Sequence, residues 1–136
     1  MAGLVLKLGP RERVLVNGAV IENGDKRSRL SILSPRANIL RLKDAIAPYD
    51  VDTPVRPVCY IAQLVLSGDA DEEQAGRQLI RGIDQLAAAL IDADSQEKLT
   101  AAREAVVSGD IYRALKSLRA LLPRERMLLD STGPRQ

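Results

Sequence analysis

The dipeptide Asn-Gly occurs twice within eight residues, at positions 17–18 and 23–24, each time beside a short apolar stretch. No other feature constrains the fold as tightly. Asn and Gly tolerate positive φ, which a two-residue hairpin turn demands of both its central positions. Val14-Leu15-Val16 before the first pair and Ala19-Val20-Ile21-Glu22 after it read as two arms of a tight hairpin. Asn23-Gly24 starts the next turn, and Arg29-Leu30-Ser31-Ile32 leaves it as a further strand. Leu4 to Leu8 alternates apolar and polar residues until Gly9-Pro10 breaks the pattern, and Ala37 to Leu42 supplies a fifth strand. Residues 1–52 therefore predict a small antiparallel β meander or barrel.

The periodicity changes at Thr53-Pro54. Thr is a good helix N-cap, Pro is favoured at the first helical position, and Pro57 as the fourth residue lacks only an N–H that would have no intrahelical partner. Val58 to Leu66 is apolar on nearly every face, which marks a central core helix. A second helix is predicted over 71–91, with Asp69 and Glu72 as a capping pair and a stripe of Ala75, Leu79, Ile83, Leu86 and Leu90. A third spans 95–107, with Leu99, Ala102 and Val106 inward. Ser108-Gly109-Asp110 breaks it and caps a fourth over 111–122, with Ile111, Ala114, Leu115, Leu118 and Leu122 inward and Pro123 as the interruption or kink. The last two helices form a hairpin that resembles one tetratricopeptide-like unit, but no repeat of that period is present, so plain helix packing is the expectation. The fold class is α+β: a basic β-rich module over 1–52, a bundle of about four helices over 53–129, and a disordered tail over 130–136.

Apolar residues make up 46% of the 136, enough for a real core, yet the only aromatic residues are three Tyr, so Leu, Ile, Val and Ala must fill it. The absence of His removes the usual general base and the commonest metal ligand. The single cysteine, Cys59, rules out a disulfide within the chain and, inside an apolar helix, reads as a small core residue. No Walker loop, G-x-G-x-x-G or zinc-spaced cysteine pair is present. Asp69, Asp71, Glu72 and Glu73 cluster where a helix N-terminus favours negative charge rather than at a metal site. The expectation is a protein without catalytic residues, cofactor or metal. With no secretory signal and no apolar run of membrane-spanning length, it reads as cytoplasmic, with no membrane partner.

Charge is unevenly distributed. Residues 1–43 hold nine Lys/Arg against three Asp/Glu, whereas residues 44–136 hold eleven against fifteen. A basic first half suggests a polyanionic partner, or strand edges kept soluble by Lys and Arg. Tyr49, Tyr60 and Tyr112 are too scattered for the stacking platform that single-strand binders usually present. Phosphate contacts need only Lys and Arg, and guanidinium planes can stack on bases.

The stretch Val16-Asn17-Gly18-Ala19-Val20-Ile21-Glu22-Asn23-Gly24-Asp25-Lys26-Arg27 resembles the signature of the FlbT family, regulators of flagellin synthesis in alphaproteobacteria. The resemblance continues through Ile39 to Asp44, Thr53-Pro54-Val55-Arg56, Tyr60, Gln63-Leu64 and Tyr112 to Lys116, and covers roughly residues 4–122. Two departures stand out: Arg56 is followed by Pro57 where the family usually has a second Arg, and Pro123 falls where the family's helix usually continues. The resemblance implies a protein that binds the 5′ untranslated leader of flagellin mRNA and promotes its decay, often in opposition to FlaF. It brings no catalytic residues.

Charge and turn geometry then nominate Lys7, Arg11, Arg13, Lys26, Arg27, Arg29, Arg41 and Lys43 as RNA-binding residues, displayed outward as one anion-seeking face. The alternative is a protein-binding adaptor or export chaperone whose helical half holds an amphipathic helix from FlaF or flagellin. Free strand edges in the β module would also allow a homodimer.

Overall fold

The computed structural model describes residues 4–34, 37–47 and 51–132. Five strands occupy the first part: β1 (Leu4–Leu8), β2 (Arg13–Val16), β3 (Ala19–Glu22), β4 (Ser28–Ile32) and β5 (Ile39–Arg41). A 3₁₀ turn over Leu42–Asp44 follows. Helices α1 (Arg56–Leu66), α2 (Glu72–Ala89), α3 (Ala93–Ser108), α4 (Ile111–Arg119) and α5 (Leu122–Thr132) complete the chain. The α+β class expected from the pattern is the one observed.

The strands are antiparallel but are not joined as a simple meander, and they close no barrel. β1 pairs with β4 in one two-stranded sheet, and β2 lies between β3 and β5 in a second. Only β2 and β3 form a local hairpin. Its turn is Asn17-Gly18, where φ is 51° and 86°, so both residues take the left-handed conformation expected of them. Asn23-Gly24 behaves differently. Gly24 lies outside the left-handed region, and β4 leaves the turn to pair with β1 instead of β3. The Asn23 side chain explains why. Its Nδ2 donates to the carbonyls of Gly9 (2.6 Å) and Lys26 (2.9 Å), and its Oδ1 accepts from Ser28 Oγ (2.7 Å). The Arg11 N–H donates to the Gly24 carbonyl and the Asn23 N–H to that of Glu12, each at 2.8 Å. The segment is thus bonded to the β1–β2 connection, which directs the chain across to β1.

The alternation in each strand decides which face meets which core. Leu6 and Leu8 of β1 pack with Val14 of β2 and Ile39 of β5 in a small core between the two sheets. The opposite face of the second sheet carries Leu15 and Leu40, which pack into the larger helical core. Tyr112 of α4 touches both cores and joins the β module to the bundle. Gln63 of α1 fastens the loop beyond β5: its Oε1 accepts from the Ile46 N–H (2.6 Å) and its Nε2 donates to the Ile46 carbonyl (3.0 Å).

The helical stripes are internal. Leu79, Ile83 and Leu86 of α2, Leu99 and Ala102 of α3, and Leu115 and Leu118 of α4 are buried against one another and against α1. Gly109, with φ of 82°, ends α3, and the Asp110 side chain accepts from the Arg113 N–H to start α4, as the break at 108–110 predicts. Cys59 is fully buried, and burial pushes its thiol up to about 12.

Three helix starts differ from expectation. α2 is capped by Asp71, which accepts from the Gln74 N–H, while Asp69 accepts from Ser67 Oγ and does not pair with Glu72. α3 begins two residues earlier than expected, because Asp92 caps it through the Ser95 N–H. α1 begins at Arg56, not at Pro54, with no side-chain cap of its own and with Pro57 in its first turn. The N-cap residue is instead held from the far end of the chain: the Val55 N–H donates to Glu125 Oε2 at 2.6 Å. Glu125 lies in α5, which Pro123 initiates instead of interrupting. Asp130, expected to begin a tail, lies within α5, and residues 133–136 are outside the described residues, as is Tyr49.

Candidate nucleic-acid interface

The register of β1 and β4 sets Lys7 directly opposite Arg29, with both side chains exposed. Leu6 and Leu8, flanking Lys7, point into the core, so the pleat turns Lys7 and Arg29 outward. Like charges facing each other across a ladder oppose its formation by roughly 0.2–1 kcal/mol. Among the described residues, no carboxylate pairs with either one. Arg27, just before β4, and Lys43, from the 3₁₀ turn, complete the rim of a recess of about 490 Å³ that Lys7 and Arg29 also line.

Among the described residues, one carboxylate lies in this recess. Glu12, whose side chain is only 8% exposed, accepts from the Gly9 N–H through Oε1 at 3.0 Å. Its Oε2 lies 3.3 Å from Arg41 Nε and 3.9 Å from Lys43 Nζ. Arg41 also donates through Nη2 to the Lys7 carbonyl, which anchors β1 beside β5. Glu12 therefore neutralises Arg41 and leans on Lys43 without cancelling the recess as a whole. Sequence reasoning missed this carboxylate. It stands between Arg11 and Arg13, and its principal partner lies 29 residues further along; only the odd placement of an acid between two bases hinted at a role.

The eight nominated cations fall into groups. Lys7, Arg27, Arg29 and Lys43 converge on the recess. Arg41 lies beneath it, bound to Glu12 and to β1. Lys26 is exposed in the Asn23–Ser28 turn, where its backbone carbonyl helps hold Asn23; it does not line the recess. Arg11 and Arg13 belong to another cluster. Arg11 pairs with Glu22 (3.2 Å) and Asp25 (2.7 Å), and Arg13 pairs with Glu22 (2.8 Å). These two arginines hold the Glu22 carboxyl below its ordinary range, Arg13 most strongly. One face of eight free cations is therefore not what the chain builds. It builds a recess with an excess of positive charge and, apart from it, a neutralised patch.

No group of three or more His, Cys, Asp or Glu side chains is placed to hold a metal ion among the described residues. No helix among them is long and apolar enough to cross a membrane. The stripes of α2, α3 and α4 are spent in the core. A groove between α2 and α3 is lined in part by Gly76, Ile80, Val106 and the exposed Val107.

In class, this is an α+β protein whose β module is backed by a helical bundle and carries a basic recess at its surface. The chain belongs to the FlbT family: the family described as "Flagellar protein FlbT" matches residues 4–129. Among its relatives is a protein of Brucella ovis named "Probable flagellum biosynthesis repressor protein FlbT", 34% identical over 124 residues that cover 91% of this chain and 80% of that one. A Brucella anthropi protein of the same name is 33% identical over 129 residues, covering 95% and 84%. The family is thus one of regulators of flagellum synthesis, and its members' names carry no enzymatic activity. No solved structure matches the chain.

Proposed function

We propose that this protein represses flagellin synthesis by binding the 5′ untranslated leader of flagellin mRNA through the recess of Lys7, Arg27, Arg29 and Lys43. Occupancy of the leader hinders ribosome loading and leaves the message open to decay by cellular nucleases. Membership of a family of flagellum biosynthesis repressors supports a regulatory role. The observation that carries the RNA reading is the Lys7–Arg29 juxtaposition. A ladder gains nothing from two facing cations without a carboxylate, whereas a phosphate bound between them turns repulsion into two charge-assisted contacts.

Chain charge makes the reading quantitative. Four cations on the phosphates of a single strand give a log–log salt slope of about −2.8. Leader preference comes from its loops and shape, which unpaired bases present differently from a regular duplex. Fluorescence anisotropy with labelled flagellin leader and an unrelated RNA of equal length, at two salt concentrations, tests it. The expected result is tighter binding of the leader and a loss of affinity with salt at least as steep as that slope. No binding of either RNA at 0.1 M salt overturns the reading and favours a protein partner for the helical half.

A further inference from the structure

The basic recess does not end at the boundary of the β module. Lys43 also lines a second recess of about 480 Å³, shared with Arg56, Arg119 and Arg126 of α1, α4 and α5. Lys7 also lines a third, of about 330 Å³, between β1, β5 and α4, which includes Lys116 and Arg119. The second and third meet at Asp44 and Arg119. The three recesses therefore adjoin through shared walls, and among the described residues the carboxylates lining them are Glu12 and Asp44. Both are engaged: Glu12 by Arg41 and Lys43, and Asp44 by Arg119, whose Nη2 lies 3.5 Å from it while Nη1 donates to its carbonyl at 2.8 Å. Lys116 and Arg126 are exposed and form no ion pair among the described residues.

The charge of the helices follows the same division. Residues 111–132 contain five Lys/Arg and two acids, Asp130 and Glu125, the latter buried against the Val55 N–H. Residues 72–108 contain four Lys/Arg and seven Asp/Glu. The bundle is acidic on α2 and α3 and basic on α4 and α5.

We infer that the RNA path continues from the β-module recess across α4 and α5, with Lys116 and Arg126 as phosphate contacts. This rests on the RNA-binding reading above and extends it from one module to a band spanning both. A flexible strand in the first recess leaves it past Lys43 or Lys7, and either way it meets Lys116 or Arg126, which form no ion pair among the described residues. Counterion release on a band of this kind adds affinity with each phosphate it covers.

The test compares Lys116→Ala/Arg126→Ala, Arg27→Ala/Arg29→Ala and, as a charge-matched control on α2, Arg77→Ala/Arg81→Ala, in titrations of flagellin leader over a salt series. For the α4–α5 pair the expected result is a slope shallower by about 1.4 and affinity lower by about 25-fold at 0.1 M salt. The α2 control stays near wild type. If the α4–α5 variant matches wild type while the Arg27/Arg29 variant weakens, the extension is overturned and the β-module site stands. If the α2 control weakens as much as the α4–α5 pair, binding follows overall charge and the band is overturned. If the wild-type protein binds no RNA, the reading beneath it fails too.

Discussion

The backbone N–H of Val55 and the carboxylate of Glu125 meet at 2.6 Å across 70 residues of chain, both groups buried. The contact satisfies the N–H of the residue that precedes α1 and ties α5 to the start of that helix. A hydrogen bond to a charged group contributes about 1.5–3 kcal/mol, and removing one partner strands the other. Glu125→Ala is therefore expected to cost about 2–3 kcal/mol in urea unfolding, with Glu125→Gln recovering part of it. An unchanged unfolding midpoint for Glu125→Ala would show that α5 does not support α1.

The two Asn-Gly turns give opposite predictions for the same substitution. Gly18 holds φ of 86° with open space around its Cα, so Gly18→Ala pays only for the left-handed backbone, about 1 kcal/mol. Gly24 is outside that region and equally unhindered, so Gly24→Ala is neutral or stabilises slightly by restricting the unfolded chain. Equal effects at both sites, measured by thermal unfolding, would contradict the assigned backbone.

This contrast shows how far the sequence could be read. Asn17-Gly18 was legible because a two-residue hairpin depends on nothing beyond its own φ angles and the flanking strands. Asn23-Gly24 has the same letters, but the Asn23 side chain bonds to Gly9 and Lys26, and such bonds leave no local pattern. The end of α3 and the start of α4 were legible through Gly109 and Asp110; the start of α1 was not, because the group that holds Val55 comes from α5. The cations followed the same logic. Their identity was plain from composition, but the pairing of Arg41 with Glu12, and of Arg11 and Arg13 with Glu22, is set by strand register. Counting charge over the whole helical half also merged acidic α2–α3 with basic α4–α5 and hid Lys116 and Arg126.

Cys59 gives an alkaline signature. Burial raises the thiol from its ordinary 9 to about 12, so between those values the unfolded chain loses a proton that the folded chain keeps. Stability that is fully present below pH 9 therefore declines as pH rises toward 12, by at most about 4 kcal/mol from this group. Cys59→Ala, although less stable at neutral pH from the lost packing, is expected to show a smaller decline over that interval. Parallel curves for the two proteins in denaturant titrations at pH 8–11 would refute this.

Glu22 acts against RNA binding in this account, since it occupies Arg11 and Arg13. Glu22→Gln keeps the shape and removes the charge that holds Arg13 and one of the two that hold Arg11. Tighter leader binding and a steeper salt dependence are expected in anisotropy titrations. Weaker binding would mean that Glu22 positions the arginines for RNA instead of masking them.

The most direct test of the central claim is the leader affinity of Lys7→Ser/Arg29→Ser, measured with thermal stability on the same samples. Removing two facing like charges from the β1–β4 ladder is expected to leave the melting temperature unchanged or raised, while lowering the salt slope by about 1.4. Wild-type affinity and slope in a variant that is folded and no less stable would contradict the account.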